Sequence, residues 1–363
     1  MSDFKIPATM TAVLLTGHGG LEKLEYRTDV TVPTPAAGEV LIRVTAAGIN
    51  NTDINTRIGW YSKAVTGDTN SGGARGFESA ENDDASWSGT PLQFPRIQGA
   101  DVSGTVVAVG EGVDSARIGE RVLVRTMMPI DDNFNCITFG SERDGGFAQY
   151  TTAPSEHTLP VNCDWSDVEL ASIPCAYSTA EGMLHRAGVG AERVLITGAS
   201  GGVGSAAIQL AKRRGAHVIA QTAPAKADLL TELGADQTVD RNADLVEILG
   251  KESVDVVVDL VAGPKWPELL DVLVRGGRYV ASGAIAGPLV ELDVRTLYLK
   301  DLTLFGSTYQ PREVFENLIR YIEKSEIKPF VSGSWPLSDI HKAQEAFLSK
   351  AHAGKLVLIP PSE

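Results

Sequence analysis

Cysteine is scarce. The 363 residues hold three, Cys136, Cys163 and Cys175, too few and too widely spaced for a disulfide framework or a CxxC zinc site. Basic charge is short too: 32 Lys and Arg stand against 46 Asp and Glu, for a formal net charge of −14. No basic run offsets that balance, which argues against a nucleic-acid or anionic-membrane surface. Without interleaved aromatic and basic residues, RNA binding fits poorly as well. No apolar run approaches the roughly 20 residues that span a bilayer. The opening MSDFKIPATMTAVLL lacks a charged n-region followed by a long apolar stretch, so a cytoplasmic protein without a signal peptide is expected. What is present is 43% apolar residues in a chain long for one core. Two globular domains are therefore expected.

The most informative stretch is 193–218, RVLITGASGGVGSAAIQLAKRRGAHV. A β-branched run ends in a glycine-rich turn, and the turn opens into the helical periodicity of Val203, Ala206, Ala207, Leu210 and Ala211. A second strand follows at 217–221. Strand, tight loop and helix make a dinucleotide site: Ser200, Gly201, Gly202 and Val203 supply the turn, and Gly204 lets the helix close on the strand. The helix start, with free N–H groups and the positive dipole end, receives the pyrophosphate. Ala199 stands where the first glycine of GxGxxG is usual.

Before residue 155 short alternating runs (11–15, 39–44, 104–109, 121–124) punctuated by Gly and Pro predict a small, mainly antiparallel β-domain. From 193 onward strands at 194–198, 217–222, 254–261, 277–283 and 302–307 alternate with helices at 203–214, 225–234, 242–250 and 265–275. That alternation predicts a parallel, doubly wound α/β sheet. Helices are also expected at 312–325 and 337–350. A final apolar strand, 355–360, has no place left in that sheet and is expected to return to the first domain. The Gly-, Ser-, Asn- and Asp-rich segment 62–93 is long for a loop within a compact domain. It reads either as a mobile surface insertion or as a lid whose Phe77 and Trp87 cover a substrate pocket.

Taken in order, AAGINNTD (46–53), PRIQGADVSGTVVAVGEGV (95–113), IGERV (118–122), GGFAQY (145–150), TGASGGVG (197–204), VDVVVDLVAG (254–263), RGGRYVASG (275–283) and HAGKLVLIP (352–360) resemble the medium-chain dehydrogenase/reductase superfamily. Within it the chain is most similar to the zinc-free quinone oxidoreductases. The resemblance implies a GroES-like β-domain over 1–160, completed by 310–363, and a Rossmann NADP(H)-binding domain over 161–309.

Zinc-dependent alcohol dehydrogenases of that superfamily place a Cys where Asn50 stands, a His–Glu pair where Ala100 and Asp101 stand, and a Cys at the position of Cys175. One surviving thiol cannot supply the three protein ligands of a catalytic zinc. The four-cysteine lobe of the structural zinc is missing too, since 127–143 contains only Cys136. A metal-free protein is expected, with Cys175 a buried relic.

The cofactor is read from the corner after the second Rossmann strand. An acid there would bind the ribose hydroxyls of NAD(H); here Thr222 takes the corner and Lys226 follows. The resemblance places Lys226, and Lys350 near the C-terminus, on a 2′-phosphate, which favours NADPH over NADH. Asp240, where relatives often carry a Tyr, opposes that reading, and the adjacent Arg241 offsets it. The resemblance also sets Asn50, Tyr61 and 175–179 around the nicotinamide cleft. Thr179 would contact the cofactor and Gly283 would lie beside the nicotinamide. Asn50 would orient the carboxamide or donate to a substrate oxygen, or else serve as a turn residue. Tyr61 would present its hydroxyl to the oxygen that gains charge, or simply pack. Tyr177 and Tyr309 read as structural.

The expected chemistry is hydride transfer from NADPH to a quinone or an α,β-unsaturated carbonyl, acceptors electrophilic enough to need no metal. A zinc-independent alcohol dehydrogenase or carbonyl reductase, and a non-catalytic NADPH-binding protein, stay open beside it. The apolar run 302–307 at the expected sheet edge suggests a homodimer.

Overall fold

Val256, Val257 and Val258 are consecutive and all fully buried, as a strand inside a parallel sheet covered on both faces requires. The computed structural model, which describes residues 5–131 and 133–362, builds six such strands into one parallel sheet. Their order is Gln237–Asp240, His217–Thr222, Arg193–Ile196, Val254–Asp259, Leu273–Ala281 and Thr303–Gly306. Val194, Ile196, Val218, Val256 and Val258 face one core, and Leu195, Ile219, Val257 and Tyr279 face the other. The strand order reverses between Arg193–Ile196 and Val254–Asp259. At that reversal the first crossovers leave to opposite sides and open a crevice at the carboxyl ends of the strands.

The first part of the chain forms a mainly antiparallel β unit. Its largest sheet runs Thr158–Pro160, Arg121–Val124, Ser103–Val109, Glu39–Ile49, Lys355–Ile359 and Val331–Pro336, with Tyr150–Pro154 also paired to Glu39–Ile49. The last strand, Lys355–Ile359, pairs antiparallel with Glu39–Ile49, so the end of the chain does return to the first sheet. The helix Arg312–Glu323 does something different: Phe315, Leu318, Ile319 and Ile322 pack into the core of the six-stranded sheet. The class predicted from sequence, a Rossmann sheet beside a GroES-like β unit, is the class observed.

Local differences have local causes. The strand Gln237–Asp240 escaped the hydrophobic pattern because only Val239 of its four residues is buried. The helix expected at 242–250 narrows to Leu245–Leu249, capped by Asp244 and ended by Gly250 at φ 83°. The one expected at 225–234 begins as a 3-10 turn, Pro224–Lys226, before Ala227–Glu232. Segment 62–93 holds one short helix, Thr69–Gly72.

Candidate active site

The glycine-rich turn connects Arg193–Ile196 to the helix Gly202–Arg213 at the crevice. No side chain caps the helix start, so its first N–H groups remain available to an anion. A Cβ on Gly204 would fall 2.4 Å from Gly198 O, so only glycine lets helix and turn approach this closely. A Cβ on Gly201 would meet nothing nearer than 3.5 Å, which leaves that side of the turn open. The turn is also tied to the β unit: Gly354 N donates to Ser200 O at 2.9 Å, one residue before the last strand begins.

At the corner after His217–Thr222 the Thr222 hydroxyl is buried and has no hydrogen-bond partner within the protein. A buried hydroxyl without a partner costs free energy unless a ligand satisfies it. Beyond it, Lys226 Nζ donates to Lys350 O at 2.8 Å and His352 O at 2.5 Å. Lys350 Nζ lies 4.3 Å from the centre of the Phe347 ring and 3.2 Å from Asn51 Oδ1. Burial, then the neighbouring Lys226 charge, lowers the Lys350 ammonium to about 8. Burial and Arg241 lower Lys226 as well. None of these three cations forms an ion pair with a carboxylate among the described residues. An orphan hydroxyl beside unneutralised cations fits a phosphorylated ribose, and the open turn above a free helix start fits a pyrophosphate.

Across the crevice the residues Asn50, Asp101 and Cys175 converge. Asn50 Nδ2 donates to Asp101 Oδ2 at 2.8 Å, and the Cys175 backbone N–H donates to Asp101 Oδ1 at 2.5 Å. Among them sits Lys355, the first residue of the last strand. Lys355 Nζ meets Asp101 Oδ2 at 2.7 Å, Asn50 Oδ1 at 2.6 Å and Ile49 O at 2.9 Å. The Lys355 and Asp101 side chains are 4% and 0% exposed, so this is a buried ion pair with every ammonium proton used. Burial and then the Asp101 charge raise the Cys175 thiol, which keeps it protonated at neutral pH. Asp53, the third residue of the helix Asn51–Ile58, accepts from the backbone N–H of the N-cap residue Asn50, as in a capping box, and from Gly99 N; burial raises its carboxyl to about 7 against those two bonds. No group of three or more His, Cys, Asp or Glu among the described residues is placed to hold a metal ion.

Tyr61 stands at the rim of this cluster. Its hydroxyl reaches Thr52 Oγ1 at 3.3 Å, and burial raises its pKa, with smaller contributions from Cys175 and Asp53. Trp87, from the 62–93 segment, meets the Tyr61 ring edge-on with centroids 5.1 Å apart. The same segment crosses to the other unit, where Thr69 N donates to Ile285 O at 3.2 Å. Thr179 lies one turn along the helix Pro174–Arg186 from Cys175. Gly283 follows the strand Leu273–Ala281 and packs so closely that a Cβ would lie 2.9 Å from Leu260 O. Tyr177 points elsewhere, donating to Lys328 O, and Tyr309 packs on Phe134. The only cue to Lys355 in the sequence was a lysine opening an otherwise apolar strand.

Two sequence families cover most of the chain. The alcohol dehydrogenase GroES-like domain matches residues 36–163, and the zinc-binding dehydrogenase family matches 202–324. A Sinorhizobium meliloti protein provisionally named an alcohol dehydrogenase is 50% identical over 98% of both chains, with a TM-score of 0.88. The chain belongs to the medium-chain dehydrogenase/reductase superfamily. It is also 29% identical to the acryloyl-coenzyme A reductase of Metallosphaera sedula, over 96% of this chain and 99% of that one. The quinone oxidoreductase of Lama guanicoe is 29% identical over 96% and 97%. The protein is therefore an oxidoreductase of the medium-chain type, with the fold that receives a pyridine nucleotide. Zinc, which one family description names, does not fit the residues here: the four positions compared above hold the Asn50 amide, the Ala100 methyl, the Asp101 carboxylate and the raised Cys175 thiol, and an ammonium already neutralises the carboxylate. No helix among the described residues is long and apolar enough to cross a membrane.

Proposed function

We propose that the protein is an NADPH-dependent oxidoreductase that delivers hydride to a quinone or to the β-carbon of an α,β-unsaturated carbonyl without a metal. The observation that carries this reading is the Lys355–Asp101 pair in place of a metal centre. With no Lewis acid to polarise a simple ketone, the acceptor must already be electrophilic. When hydride reaches the β-carbon, the π electrons of the C=C bond shift toward the carbonyl oxygen and a proton from water completes the saturated product. A quinone takes hydride and a proton to become hydroquinone. One or two hydrogen bonds to the oxygen that gains charge then suffice.

In this reading Asn50 and Tyr61 face the acceptor. Ser200, Gly201, Gly202, Val203 and Gly204 take the pyrophosphate, and Thr179 and Gly283 flank the nicotinamide. Thr222, Lys226, Arg241 and Lys350 bind the phosphorylated ribose, with the uncompensated cations supporting NADPH over NADH. The GroES-like domain covers 1–160 and the Rossmann domain 161–309; of the 310–363 segment expected to complete the first, the strands Val331–Pro336 and Lys355–Ile359 do so, whereas the helix Arg312–Glu323 belongs with the Rossmann core. Two copies pair through the edge strand Thr303–Gly306, an arrangement supported by the exposed apolar residues Leu289, Val294, Tyr298 and Leu299 beside it.

The test is oxidation of NADPH and NADH against matched quinones, enones and aldehydes, with and without a strong chelator. The expected result is chelator-insensitive turnover of quinones or enones with NADPH, reduced about tenfold or more in Tyr61→Phe or Asn50→Ala. Turnover of aldehydes and alcohols alone would favour the alcohol dehydrogenase reading suggested by the Sinorhizobium meliloti relative. Tight NADPH binding with no turnover would favour a binding role.

A further inference from the structure

The Asn50 amide presents a chemical question. Its oxygen and nitrogen ends are nearly the same size, and only the nitrogen end can donate to an acceptor oxygen. Two neighbours of opposite character settle which end goes where. Lys355 is a donor only, so it must face Asn50 Oδ1, which it does at 2.6 Å. Asp101 is an acceptor only when ionised, so it must face Nδ2, which it does at 2.8 Å. Rotating the amide by half a turn would set N–H groups against the ammonium and oxygen against the carboxylate. The second Nδ2 proton then has only a 3.5 Å contact with Gly48 O, at the limit of a hydrogen bond, and is the donor left for a ligand.

Neither member of the pair is free to move away. A Cβ on Gly48 would fall 2.4 Å from Asp101 Oδ2, so glycine there admits the carboxylate without slack. The Lys355 stem runs past the helix start, where a Cβ on Gly202 would lie 2.8 Å from Lys355 Cδ. Because Asp101 neutralises the ammonium, the pair orients the site and adds no net charge to it.

We propose that Lys355 is a positioning residue of the reaction: with Asp101 it locks the Asn50 amide in the orientation that offers an N–H to the oxygen gaining charge. The inference rests on the metal-free reading above. Its test compares Lys355→Met, Lys355→Arg, Asp101→Asn and the double variant Lys355→Met/Asp101→Asn. Four readouts are taken: kcat with the best acceptor, cofactor dissociation constant by fluorescence, thermal midpoint, and the Asn50 side-chain amide resonances.

Lys355→Met is expected to lower kcat about tenfold or more, with the cofactor dissociation constant within about threefold of wild type. Lys355→Arg should recover part of kcat. The double variant, which leaves no unpaired buried charge, should regain thermal stability but not kcat. Wild type should show one sharp, slowly exchanging Asn50 amide pair, and both Lys355→Met proteins a broadened or shifted one. Restoration of kcat in the double variant would overturn the proposal, because Lys355 would then only neutralise Asp101. So would a loss confined to the cofactor dissociation constant, which would make Lys355 a phosphate contact. If wild type turns over no acceptor, the functional reading fails on its own. The amide resonances then decide the inference, and an Asn50 pair unchanged by Lys355→Met would end it.

Discussion

At Lys350 a side chain that ordinarily seeks water is held against Phe347 and close to a second lysine. Both burial and the Lys226 charge disfavour its protonation and lower it to about 8. A phosphate would reverse that balance, because the anion binds the protonated form. Affinity for NADPH is therefore expected to be full below pH 8 and to fall as pH rises through that value, by up to about tenfold per unit. NADH, lacking the 2′-phosphate, should show no such dependence, and Lys350→Met should flatten the NADPH profile while raising its KM. KM for both cofactors from pH 6 to 10 checks this; a parallel rise for NADH would remove Lys350 from cofactor selection. Thr222 was legible as the missing acid at this corner. The convergence of Lys226 and Lys350 was carried by resemblance, since 124 residues separate them.

Among the elements, the 62–93 segment is the one whose sequence gave least guidance. Its composition fits an unattached loop, yet it is stitched down at several points. Arg57 Nη2 donates to Gly73 O at 2.9 Å, Lys63 N to Asp84 Oδ2 at 2.9 Å, and Phe77 packs beneath Gly72, where a Cβ would lie 2.2 Å from the ring. Such ties are invisible to periodicity because they are single polar bonds and one ring-on-glycine contact rather than a hydrophobic stripe. Trp87 meets Tyr61 edge-on, which on the proposed reading puts the segment beside the acceptor. Trp87→Ala is expected to change KM for bulky acceptors several-fold, leaving the cofactor dissociation constant unchanged. Equal KM values for small and bulky acceptors in wild type and variant would leave the segment as surface only. By contrast, the helix Gly202–Arg213 and the strands around it were readable almost to the residue. Their burial alternates with the period of the element, as at Leu195 and Ile196, which face opposite cores.

For the whole molecule, the edge strand Thr303–Gly306 ends the six-stranded sheet with one side unpaired among the described residues. Beside it the helix Val294–Leu299 exposes Val294, Tyr298 and Leu299, and the preceding loop exposes Leu289 at 70%. Clustered apolar exposure next to an open strand edge is what a two-fold partner would cover. Wild type is expected to sediment as a dimer, and Tyr298→Asp with Leu299→Asp to shift it to a monomer of unchanged circular dichroism. A wild-type monomer at micromolar concentration would exclude the pairing.

The sequence by itself determined the class of the molecule. Strand and helix periods, the glycine turn, the acid missing at Thr222 and the replaced ligands at Asn50 and Asp101 are all local or positional facts. Tertiary structure alone decided what fills the place between those ligands. Lys355 reaches Asp101 across 254 residues of chain because the last strand returns to Glu39–Ile49 and presses Gly354 against Ser200. No local rule reports that a lysine will be buried. Whether its charge faces water or a carboxylate depends on which distant strand lies beside it, and that is settled only when both sheets have packed.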